Sequence, residues 1–166
     1  MHMRKAPAAV AAAGSFLVLA AAAYGLPPFT TAPKTAPGSG GQAVIDGLAT
    51  ACHPGFDRLV LHARRGVPQY EVRYVRRIRS DGSGAVVRLK GRKRLRIVMQ
   101  NARAHSQSGS PLIPGARTPL CPNLRQVKLA GDFEGVVTLG LGLRRKTGFR
   151  VFRLTNPTRV VVDVAH

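Results

Sequence analysis

A chain of 166 residues holds one modest core and is too short for two full ones. Hydrophobic residues make up 45 %, aromatics only 5 % with no tryptophan, and 18 glycines and 12 prolines favour many short strands over long helices. With 26 lysines and arginines against 7 acids, the net charge of +19 draws the chain to any polyanion: nucleic acid, anionic lipid or a phosphate-bearing cell wall.

The N-terminus narrows that choice. Residues 1–25 open with the basic "MHMRK" and continue as an Ala-rich apolar run, the layout of a helical secretory leader, with Ala21-Ala22-Ala23 as an A-x-A cleavage site. The run also has nearly the length of a membrane span, so an uncleaved N-terminal anchor is the alternative, and the only route to a membrane. Either form carries the remaining chain out of the cytoplasm, which argues against a specific nucleic-acid role. No cysteine follows the run directly, which argues against a lipid anchor. Residues 26–50 begin "LPPFTTAPKTAPGSGG", without a periodicity that could bury a face, and predict a flexible or extended spacer. The folded domain is then expected over 51–166. Its two cysteines, Cys52 and Cys121, predict a disulfide in an oxidising compartment, closing a loop of about 70 residues. Two unpaired thiols are the alternative. A metal site is not expected, because neither cysteine belongs to a C-x-x-C pair and His53 alone completes no ligand set.

Read with a period of two, the domain gives about eight short strands. "RLVLHAR" places Leu59, Leu61 and Ala63 on one face, and "YEVRYVRR" places Tyr70, Val72 and Tyr74 inward against Glu71, Arg73 and Arg77. After the "SDGSG" turn, "VVRLK" turns Val87 and Leu89 inward against Arg88 and Lys90, and "LRIVMQ" does the same with Leu95, Ile97 and Met99. Residues 104–123, with Pro111, Pro114, Pro119 and Pro122, predict a long surface loop. "LRQVKLAG" and "FEGVVTLGLGL" resume the strands; in the latter Val137, Leu139, Leu141 and Leu143 alternate with Thr138, Gly140 and Gly142, and those glycines suit a bulge or a close neighbour. "GFRVFRL" and "RVVVDV" close the chain around a break at Asn156-Pro157. The expected fold is an all-β sandwich or small barrel.

Catalytic constellations are sparse. There is no G-x-S-x-G elbow, H-E-x-x-H pair, phosphate loop or dinucleotide fingerprint, so no cofactor is expected. His62 reads as an exposed strand residue, and His105, near Ser106 and Ser108, as a solvated loop histidine. Tyr70 and Tyr74 stand among Arg73, Arg76 and Arg77 as in a base-stacking surface, but their parity places them in the core. A glycosidase needs two facing carboxylates, and Asp57, Glu134 and Asp163 are the candidates among seven acids, the others being Asp46, Glu71, Asp81 and Asp132. Surrounded by so many cations, each is expected to be ion-paired rather than catalytic. In "RVVVDV", Val160, Val162 and Val164 share one face and Arg159, Val161 and Asp163 the other. Arg159 and Asp163 lie about 13 Å apart along the strand, so Asp163 should find an arginine on an adjacent strand, such as Arg58.

Four segments, "CHPGFDRLVLHARRGVPQYEVRYV", "LRIVMQNARAH", "GDFEGVVTLGLGL" and above all "FRVFRLTNPTRVVVDV", together resemble the secreted bacterial AMIN-like domain proteins, relatives of the AMIN domain of cell-wall amidases and secretins. The resemblance implies a β-sandwich and a non-catalytic envelope role connected with peptidoglycan. It transfers no binding residue, and no amidase domain is expected after the motif. The combined expectation is an exported, monomeric or weakly associating domain that is not an enzyme. It would bind peptidoglycan or an associated anionic polymer through a basic sheet face made by Arg73, Arg76, Arg77, Arg88, Lys90, Arg92, Lys93, Arg94 and Arg96. A merely solvated basic face, a glycan hydrolase using Asp57, Glu134 or Asp163, and an anchored platform for an envelope protein partner are the alternatives. Asp57, Arg58, Asn156, Pro157, Arg159 and Asp163 are expected to be structural.

Overall fold

The computed structural model describes residues 25–166; the leader expected over 1–25 lies almost entirely outside them. Among the described residues there are eleven strands and no helix. They are β1 (Lys34–Ala36), β2 (Ser39–His53), β3 (Phe56–Val67), β4 (Gln69–Val75), β5 (Lys93–Gln100), β6 (Ala102–Arg103), β7 (Ala116–Arg117), β8 (Leu124–Phe133), β9 (Val136–Leu143), β10 (Phe149–Leu154) and β11 (Arg159–Ala165).

Two sheets form, one of six strands in the order β1-β4-β5-β9-β8-β7 and one of five in the order β10-β11-β3-β2-β6. Every pair is antiparallel except β2 with β6. The inward residues predicted by parity do meet: Leu59, Leu61, Val160 and Val162 of one sheet share a core with Val72, Leu95, Ile97, Met99, Leu139 and Leu141 of the other. Each such side chain contributes about 1.5–3 kcal/mol by leaving water. The β8–β9 turn is tight because Glu134 and Gly135 both hold positive φ (48° and 78°), the pattern that matches strand twist in two-residue hairpins.

Four expectations are corrected. The spacer does not extend to residue 50: β2 begins at Ser39, and Ala43, Val44 and Ile45 are fully buried, since they carry the apolar side chains that complete the core beside β3. Even the Pro/Thr stretch is laid onto the domain, where Thr30 bridges to Phe149 and β1 pairs with β4. Pro33 and Pro37 flank β1 and limit it to a short edge strand. "VVRLK" is not a strand. Residues 76–92 instead fold over the outer face of β9, where Ile78 and Leu89 pack with Ala130. The glycines predicted this neighbour: a Cβ at Gly140 would come within 2.9 Å of Leu89, and one at Gly142 would run into the Lys90 carbonyl. The 104–123 segment is not wholly irregular, because β7 pairs with β8 and Ile113 plugs the core. Finally, His62 is half-buried beside Gly47 rather than exposed.

Candidate anion-binding site

Cys52 and Cys121 form the disulfide, with Cα atoms 5.3 Å apart. It ties β2 to the segment that enters β8, next to a polar knot between the sheets. There Asp57, fully buried at the core-facing start of β3, accepts hydrogen bonds from the backbone N–H groups of Asn123 (2.6 Å) and Leu124 (2.7 Å). Asn123 in turn donates to Thr147 and to the Ala165 carbonyl, and Tyr74 O–H donates to the Thr147 carbonyl. A carboxylate saturated by backbone donors on one oxygen holds segments in place.

Asp163 occupies the opposite face of its sheet. The antiparallel register sets it across from both Arg58 and Arg150. Arg58 donates to its two oxygens at 2.6 and 2.9 Å, and Arg150 adds a third bond at 2.8 Å. Phenylalanine rings flank this cluster: the Arg150 guanidinium lies 4.4 Å from the Phe29 ring, and that of Arg58 lies 5.1 Å from Phe56. The hydrogen bond that Arg58 donates to Asp163 raises the Arg58 pKa above its usual value, so the guanidinium stays charged. Arg159 donates to the Pro157 carbonyl, and Asn156, in the left-handed region with φ 53°, makes the bend before β11.

The three carboxylates of the hydrolase alternative do not face one another. Asp57 points into the core and Asp163 away from it, while exposed Glu134 sits at the far end of β8, about 30 Å along that strand from the Asp57 contact at Leu124.

The nine cations expected to form one sheet face divide into five groups. Arg73 and Arg96 flank Glu71 at 3.8 and 3.2 Å and are partly neutralised. Arg77 lies in a groove that also contains Asp81, and Arg88 and Lys90 are exposed on the 76–92 segment. Arg94 is committed to structure, donating to the carbonyls of Leu89, Gly91 and Lys93. The remaining three, Arg76, Arg92 and Lys93, stand at one end of the six-stranded sheet.

That end gathers further cations the sequence reading missed. The register places Lys93 opposite Leu143 and Leu124 opposite the same Leu143, so the start of β5, the start of β8 and the end of β9 coincide. Arg92, Arg125, Arg144 and Arg145, with Gly91, therefore line one open cleft of about 470 Å³. An adjoining cleft of about 410 Å³ shares Arg92 and adds Arg76, Lys93, Arg94 and Lys146 beside Tyr74. No carboxylate lines either cleft. Arg125 donates to the Cys121 carbonyl at 3.1 Å, whereas Arg92, Arg144 and Arg145 make no side-chain hydrogen bond or ion pair among the described residues. The cation run "RRK" at 144–146 was the signal for this site, but only the strand register shows which other cations it joins.

Such unpaired guanidinium groups can each present a planar fork to phosphate or carboxylate. A family model for the AMIN-like domain matches residues 43–166, beginning where core burial begins at Ala43. No curated protein matches the chain.

Proposed function

This chain belongs to the AMIN-like domain family, and from that premise we propose that it is an exported, non-catalytic sandwich domain that holds an anionic polymer of the cell envelope. The polymer is peptidoglycan or a phosphate-bearing chain attached to it. The observation that carries the reading is the acid-free cleft of Arg92, Arg125, Arg144 and Arg145. Like charges at close range repel, and a polyanion relieves that repulsion while releasing its own counterions. The disulfide suits an oxidising, extracytoplasmic compartment.

The reading moves the binding surface from the sheet face to the sheet end, because the face is where Glu71 offsets Arg73 and Arg96. Co-sedimentation with purified cell wall tests it. Binding at low salt that weakens steeply at high salt, without release of soluble fragments, supports it. Release of fragments would replace it with hydrolysis, and absence of binding at low salt would replace it with a partner-platform role.

A further inference from the structure

A second polar pocket, of about 570 Å³, lies at the other end of the domain, lined by Gly41, Gln42, Arg65, Arg103, His105 and Ser106 among others. It is about 25 Å along β9 from the arginine cleft, since β6 meets the domain at the Gly135 turn. Three features of the backbone and side chains build it.

The first is a bulge. Gly40 pairs with Gly66 and Val44 with Arg64, so three residues of β2 oppose the single residue Arg65 of β3. The approach is too close for side chains, because a Cβ at Gly66 would collide with the Gly41 carbonyl oxygen. Bulges of this kind re-aim a side chain out of the ladder. The second is strain: Arg65 holds φ at 71°, a region that long side chains rarely occupy. Its side chain is exposed and has no hydrogen bond or ion pair among the described residues, so no contact made by the guanidinium accounts for the conformation. The third is an oriented imidazole. Asp132 accepts the Ala104 N–H with both oxygens and lies 2.7 Å from His105 Nδ1. That contact makes Nδ1 the donor and leaves Nε2 as the free ring nitrogen of a residue that lines the pocket. The parallel β2–β6 pair brings Arg103 to the same wall, where it is braced by donating to the His105 carbonyl.

Strained, unpaired arginine beside a braced arginine and a carboxylate-held histidine is an arrangement that folding alone does not require. We propose that this pocket is a binding site for a single oxyanion group, carboxylate or phosphate, gripped by the guanidinium groups of Arg65 and Arg103 and the Nε2 side of His105. Gln42 and Ser106 supply hydrogen bonds to the body that carries the group. The site is separate from the arginine cleft and does not depend on it.

Titration of the full chain with inorganic phosphate and, separately, with acetate, followed by amide NMR at physiological salt, tests the site. The expected result is saturable shifts at Gly41, Gln42, Arg65 and Ser106 with one of the two anions, which also tells phosphate from carboxylate. Arg65→Gly should weaken that binding about tenfold. It should not lower the melting temperature, because glycine occupies positive φ freely. Arg103→Gln and His105→Gln should weaken it similarly. Arg88→Gln, which removes the same charge from a distant exposed position, should leave it unchanged. Shifts confined to residues 92, 125, 144 and 145, equal affinity in Arg65→Gly, or no shift at millimolar concentrations of either anion would each overturn the proposal. None of those outcomes counts against polymer binding at the arginine cleft.

Discussion

Arginines in the Asp163 cluster and arginines in the Arg92 cleft are chemically identical, yet the fold uses them in opposite ways. Around Asp163 two guanidinium groups meet one fully buried carboxylate with three hydrogen bonds, and aromatic rings flank the group. In the cleft four guanidinium groups meet none. With only seven acids available to 26 cations, an acid at one place leaves other cations unpaired. Where an acid or a backbone carbonyl meets it, as at Arg58 or Arg94, the cation belongs to the fold; where neither does, it stays unpaired. Arg73 and Arg96 mark the intermediate case, a half-exposed pair beside Glu71.

The largest effect is expected at the disulfide, which borders the cleft because Arg125 rests on the Cys121 carbonyl. Replacing both cysteines by serine opens a link across 69 residues and should cost about 4 kcal/mol of stability. In urea denaturation, an unchanged midpoint would show that the knot at Asp57 holds that end by itself. Next in size, Asp163→Asn leaves Arg58 and Arg150 without their counter-charge and should cost about 3 kcal/mol, while cell-wall affinity measured under folding conditions stays the same. A lost affinity with intact stability would reverse the assignment of the two regions.

Arg144→Ala/Arg145→Ala should do the converse. Polyanion affinity at moderate salt should fall about tenfold and the salt slope should flatten by roughly two counterions, with stability unchanged within about 0.5 kcal/mol. Sedimentation assays across a salt series read both quantities. The smallest effect is expected from Arg73→Ala, a half-exposed residue beside a partly exposed glutamate, at less than about 0.5 kcal/mol in stability and less than about twofold in binding. A larger binding loss there would return the site to the sheet face.

Much of this architecture was legible locally. Period-two alternation identified the inward faces of β3, β4, β5, β9 and β11, because each side chain's direction depends only on its neighbours along the strand. Parity placed Arg159 and Asp163 on one face, the rise along the strand kept them apart, and Arg58 is indeed a partner of that acid. The bare glycines of β9 announced a close neighbour. By contrast, Ala43–Ile45 followed a Pro- and Gly-rich stretch and read as spacer, although their burial depends on β3 lying beside them. The "VVRLK" alternation was real, but it served to cover a sheet rather than to extend one.

His105 shows the limit most clearly. In sequence it is a histidine in a serine-rich loop, 27 residues from Asp132, and nothing local joins the two. Composition and alternation, by themselves, determined an all-β domain, its inward faces, its disulfide and its excess of positive charge, because those follow from residue type and nearest neighbours. Which cations remain free, which acids are buried and where two pockets open were decided only by the tertiary structure. Strand register and a single bulge bring distant residues together, and no period along the chain encodes that meeting.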